Sequence, residues 1–175
     1  MEKNGRGFGE KTVLMYVVEH EYIECVHKRS MIQALLDEGA DLYAENSWGN
    51  TVWSYCESSL PIIECLLAKW DPQHQNHSGQ TFVHEFLNME VNNNAPMPNQ
   101  CQAVLEYIMP VFWQAGGDMH EKPLVGHSVY RLVDILVGPD PNPLDNLWAI
   151  YEEQILKKMM LEDNHDFSSM GKKRL

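Results

Sequence analysis

The feature that most constrains this chain is a frame that can be found three times by counting. Gly79-Gln80-Thr81-Phe82-Val83-His84 is preceded, thirty residues earlier, by Gly49-Asn50-Thr51-Val52-Trp53-Ser54. An aspartate stands ten residues before each threonine, Asp41 before Thr51 and Asp71 before Thr81. The same offset recurs from Asp118 to Ser128, with Gly126 two places ahead of that serine. Apolar runs of helical spacing flank each copy. A fixed internal offset of this kind marks units that bury their faces against neighbours and have no private core.

Each part of the frame has a physical task. Gly39 and either Gly116 or Gly117 stand where a helix should end and the backbone must take a positive φ, which glycine adopts without a Cβ clash. The ten residues that follow each aspartate form a projecting finger. Thr51, Thr81 and Ser128 are then expected to cap the next helix by accepting from its free backbone N–H groups.

This pattern resembles the ankyrin repeat. The residues that carry the likeness are Leu35-Leu36-Asp37-Glu38-Gly39-Ala40-Asp41-Leu42 running into Gly49-Asn50-Thr51, Leu66-Leu67-Ala68-Lys69-Trp70-Asp71 running into Gly79 through His84, and Ala115-Gly116-Gly117-Asp118 running into Gly126-His127-Ser128. Thr81 and His84 match both ends of the family's Thr-Pro-Leu-His tetrad, whose proline is absent from every copy. The resemblance implies an all-α solenoid of about four irregular helix-turn-helix repeats with short hairpin fingers. Its units would lie near 9–41, 42–71, 72–118 and 119–161, in a single domain over 1–162, with 163–175 as a flexible tail.

Read in order, Thr12 is expected to cap a helix from Val13 to about His20, and a second helical pattern runs through Ile23, Val26, Ile32, Leu35 and Leu36. Helices are expected from Val52 to about Glu57, from Pro61 to Lys69 and from Phe82 to about Asn88. A polar insertion over 89–99 leads to a helix from Gln100 to Gln114 that contains Pro110, which should kink it. The last unit opens at Ser128, runs to about Val137, breaks at 138–143 and closes with a helix from about Leu144 to Leu161. Both interruptions lie on the side opposite the fingers and read as tolerated surface insertions, with a second contact surface as the alternative.

Composition limits the partners. The chain has 175 residues, 44% of them hydrophobic, and a net charge of −12 from 13 Lys+Arg against 25 Asp+Glu. Nucleic acid is a poor match for that balance, because neutralising phosphates needs a basic stripe. A protein with a basic surface is the natural counterpart. No stretch reaches the ~18 unbroken apolar residues that a membrane span needs. Met1 to Gly9 is polar and glycine-rich, unlike a secretory signal peptide. Cys25, Cys56, Cys65 and Cys101 form no Cys-x-x-Cys pair and are expected as buried, reduced thiols in a cytoplasmic setting.

His74, His77, His84 and Glu85 fall within twelve positions and suggest two readings. Three imidazoles can bind zinc and leave a place for water, which would make the chain a metal-dependent hydrolase; a cysteine hydrolase is the related alternative. In the other reading, His74 and His77 belong to a finger, and His84 makes the bond between neighbouring repeats that the resemblance implies. The spacing is no His-Glu-x-x-His motif, and Gly-x-Ser-x-Gly, Gly-x-Gly-x-x-Gly and phosphate-loop patterns are missing from the sequence. The expectation is therefore a binding protein and not an enzyme, without a cofactor.

The resemblance places the grip on the concave side, among finger tips and first helices. Carried onto this sequence, the partner-binding residues are Tyr43, Glu45, Ser47, Trp48 and Asn50 in one finger, His74, His77, Ser78 and Gln80 in the next, and Leu124, Val125 and His127 in the last. Trp48 is the most telling of these, since a large ring at a tip has few neighbours and aromatic rings anchor interfaces. Protonation of His74, His77, His120 and His127 below about pH 6.5 would alter the charge of the fingers. Small ankyrin proteins of this kind resemble host-directed factors of viruses and intracellular bacteria, which inhibit, sequester or recruit a protein in the host cytoplasm or nucleus.

Overall fold

The computed structural model describes residues 10–56, 59–92, 99–137 and 148–153. The chain divides into Met1–Gly138 and Pro139–Leu175. In the second unit residues 148–153 are helical; the expected break at 138–143, most of the expected closing helix and the tail fall outside the described residues. All elements named below belong to the first unit, whose described residues are helical, with turns between the helices and no strand.

Helix α1 is Val13–Glu19, and it starts where Thr12 predicts. The Met15 N–H donates to Thr12 Oγ1 at 3.2 Å, and the Thr12 N–H donates to Met15 Sδ at 3.4 Å, so two end groups of the helix are satisfied reciprocally. Helix α2, Cys25–Asp37, buries Ile32 and Leu36 together with Lys28. The Lys28 ammonium donates to the Val18 carbonyl at 2.9 Å, at the end of α1. Gly39 takes φ +84° after α2, which lets the Ala40 N–H return to the Leu35 carbonyl at 2.8 Å.

The next expected helix, Val52 to about Glu57, is shorter and tighter. It is a 3-10 helix, Val52–Tyr55, and Cys56 already has extended dihedrals. Val52, Trp53 and Tyr55 are weak helix formers, and Val52 and Trp53 are held by burial. Helix α3 is Leu60–Leu67, with Pro61 in its first turn as expected.

Helix α4, Phe82–Asn92, runs four residues past the expected Asn88. Its inner face continues past Asn88 through a charged residue, since Glu90 is buried one turn after Phe86. Residues 93–98, the rest of the expected insertion, lie outside the described residues. Helix α5, Asn99–Gln114, contains Pro110. Helix α6 is Val129–Val137.

These elements pack in two rows. The 3-10 helix lies against α1 on one side and α4 on the other, and α4 lies against α6; α2 meets α3, and α3 meets α5. Contacts α1–α2 and α4–α5 join the rows. The shared interior is continuous: rings of Trp70, Trp53, Phe82 and Phe112 follow one another at centroid distances of 5.3, 4.9 and 6.4 Å. Trp53 and Phe82 come from successive copies of the frame, so one copy supplies the wall of its neighbour.

The cysteines depart from expectation in one respect. All four are free, with Cys56 and Cys101 buried, but Cys65 is half-exposed and Cys25, the first residue of α2, is exposed. Burial still pushes the Cys65 thiol up. Among the described residues no helix is long and apolar enough to cross a membrane.

Candidate binding face at the finger tips

The fingers are built from the same bonds in different places. Asp41, Asp71 and Asp118 each accept, through Oδ1, the backbone N–H two residues on: Tyr43 at 2.8 Å, Gln73 at 2.9 Å and His120 at 2.8 Å. These are Asx turns, in which a carboxylate replaces a backbone carbonyl and turns the chain outward. Asn46 and Asn76 then repeat a larger pattern. Asn46 Oδ1 accepts the N–H groups of Trp48 and Asn50, while the Asn46 N–H donates to the Asn50 carbonyl at 3.0 Å. Asn76 treats Ser78 and Gln80 identically, at 3.0, 2.9 and 2.9 Å. Gly49 and Gly79 close these turns at φ +76° and +71°.

Neighbouring fingers are bonded to each other. Asn76 Nδ2 donates to the Gly49 carbonyl at 3.1 Å, and Glu45 accepts the His77 backbone N–H at 2.9 Å while its Oε1 lies 2.7 Å from His77 Nδ1. The Val125 N–H donates to the Ser78 carbonyl at 3.2 Å, and Gln80 Nε2 donates to the Val125 carbonyl at 2.9 Å. The last finger therefore sits beside the middle one, and the middle one beside the first.

That order aligns the residues before the frame glycines. Trp48, Ser78 and Val125 hold equivalent places, as do Ser47, His77 and Leu124. Trp48 is 67% exposed, Leu124 84% and Val125 64%. Ser47, His77 and His127 are exposed as well, and Ser78, Asn50 and Gln80 are half-buried.

Other residues expected at the partner surface hold the fingers together. Tyr43 is half-buried, its hydroxyl accepts the Asp71 N–H at 3.0 Å, and its ring lies between Trp70 and His74 at 4.8 and 4.2 Å. Glu45 is mostly covered and bound to His77. Such contacts fix the spacing of the tips.

The three frame hydroxyls, Thr51, Thr81 and Ser128, are buried beneath the tips, as is the Thr12 hydroxyl that caps α1. Thr51 Oγ1 accepts from the Trp53 N–H at 3.4 Å, and Ser128 Oγ accepts from the Arg131 N–H at 3.4 Å, as capping requires. Thr81 differs from the expected cap: its hydroxyl lies 2.8 Å from His84 Nδ1, and its N–H donates to the same nitrogen at 3.3 Å. Because Nδ1 accepts from that N–H, the ring proton sits on Nε2. His84 is only 3% exposed, and burial lowers its pKa to about 4, against a smaller opposite effect of the Glu121 backbone.

Glu85 does something the sequence did not signal. Its carboxylate reaches back to the preceding copy of the frame and accepts from the Thr51 N–H at 2.8 Å, the Thr51 hydroxyl at 2.9 Å and the Ser54 hydroxyl at 2.7 Å. Burial raises its pKa, while these three bonds pull it down.

The metal-site alternative for His74, His77, His84 and Glu85 does not assemble, because each side chain is engaged elsewhere. His74 lies tilted against Tyr43, His77 pairs with Glu45, His84 serves Thr81, and Glu85 serves Thr51. Among the described residues no three His, Cys, Asp or Glu side chains gather as a metal-holding group. No protein-family model matches the chain, and no curated protein matches it.

Proposed function

We propose that this chain is an ankyrin-like stack whose finger tips hold another protein, without chemistry of its own. The observation that carries the reading is the row of tips. Three large apolar side chains, Trp48, Leu124 and Val125, stand mostly in water on turns rigidly bonded to one another. Scattered exposed apolar residues need no explanation, but aromatic and aliphatic groups on aligned, preorganised loops are what an interface core requires.

The recurring aspartate turns, the paired asparagine turns, the positive-φ glycines and the two-row packing support an ankyrin-like arrangement. The net charge of −12 favours a basic partner. The sequence resemblance extends this reading to inhibition, sequestration or recruitment of a host protein in the cytoplasm or nucleus.

The test uses Trp48→Ala in the full chain. Its ring is mostly exposed, so thermal stability should stay within about 0.5 kcal/mol of the parent, while proteins retained specifically by the parent in affinity capture are lost. Retention of the same proteins by the variant contradicts the reading. A large loss of stability would mean that the ring packs.

A further inference from the structure

Between the middle and last fingers, behind the tips, lies a cavity of about 220 Å³. Drug-sized ligands occupy pockets of roughly 300–1,000 Å³, so this space suits a single side chain better than a cofactor. Its lining includes Asp118, Glu121, Gln73 and Gln75, and among the described residues neither Lys nor Arg borders it. His84 also borders it and is neutral at physiological pH. Gly116, just past the C-terminal end of α5, completes the wall. Shape and charge agree: the cavity is the size of one side chain, and its two charged lining residues are both acidic.

From this the geometry points to a site for an arginine side chain of the partner protein, held between Asp118 and Glu121 while flanking apolar residues of the partner rest on Leu124 and Val125. Guanidinium is the fitting cation because its planar fork offers five donors, enough to engage carboxylates and amide carbonyls together. Leu124 packs beside Gly79, which also borders the cavity, so charge recognition and the apolar tips are contiguous. This inference rests on the finger-tip reading and specifies the partner's chemistry.

The test titrates the full chain with N-acetyl-Leu-Arg-Leu amide and with the same peptide carrying citrulline, which keeps the shape and removes the charge. Binding is followed by backbone amide NMR. The arginine peptide should shift the signals of Gly79, Thr81, Gly116 and Gly117. Affinity should fall at least about tenfold with citrulline, and equally with Asp118→Asn combined with Glu121→Gln, in line with the loss of charge-assisted bonds. The control Glu64→Gln, which removes a carboxylate on α3, should bind like the parent. Asn at 118 keeps the oxygen that turns the finger, so the paired variant should fold.

Equal affinity for the citrulline peptide, shifts scattered over the acidic surface, or no shifts at these four residues would overturn the site. Applied to partner capture, the paired variant separates the two ideas. Retention by the paired variant with loss by Trp48→Ala leaves the finger grip standing and removes the arginine site. Retention by Trp48→Ala removes the grip itself.

Discussion

The Thr51 and Thr81 corners hold the same place in successive copies of the frame, yet they are completed by different chemistry. Three residues after Thr81 stands His84, long enough to reach back to its own threonine. Three residues after Thr51 stands Ser54, whose short side chain leaves room for a carboxylate, and Glu85 from the following unit fills it. One corner is closed from within by a neutral ring. The other is closed by the next unit with an acid. Adjacent residues of α4 thus serve different units, and the Glu85 contact spans 34 positions of sequence.

The largest effect is expected from removing the carboxylate. Glu85→Ala strips the acceptor from a buried N–H and two hydroxyls, which should cost about 3–5 kcal/mol in urea unfolding. A cost under about 1 kcal/mol would mean that the corner satisfies itself.

Next in size is the response to pH, where the corners should differ in sign. The His84 pKa is depressed when folded, so its contribution is complete above about pH 6.5 and is lost as pH falls toward 4. The stability difference between the parent and His84→Asn should shrink by about 2–3 kcal/mol between pH 7 and 4.5. The Glu85 pKa is raised, so the pH-dependent part of its contribution is complete below about pH 4.5 and is lost as pH rises through its folded value. Subtracting Glu85→Gln from the parent should therefore give a slope of the opposite sign. Parallel slopes would erase the distinction between the corners.

The smallest effect concerns Ser54. Ser54→Ala removes one of three donors to Glu85 and should cost about 1 kcal/mol, with the matching mutation three residues after Thr81, His84→Ala, costing more. Equal costs in thermal unfolding would argue that the ring and the hydroxyl contribute alike.

Much of this was legible because the signals are local. The aspartate turns, the glycines at φ +84°, +76° and +71° and the cap at Thr12 each lie within a few residues of their partners. Helix ends were less legible where polarity and burial disagree, as at Glu90. The 3-10 helix was missed because apolar spacing over four residues does not separate it from an α-turn. Of the candidate site, Trp48, Leu124 and Val125 stand exposed where tip positions predicted them, whereas the roles of Tyr43 and Glu45 between fingers depend on partners about thirty residues away. In sequence Glu85 stands beside histidines, whereas its donors, on Thr51 and Ser54, come close only after folding.

Dependence of one unit on the next is tested most directly by a double-mutant cycle on Thr51→Val and Glu85→Gln, read by urea unfolding at pH 7. Contact across the units predicts a coupling of about 1–3 kcal/mol. Additivity within about 0.5 kcal/mol would contradict it, because the two units would then be folding without reference to each other.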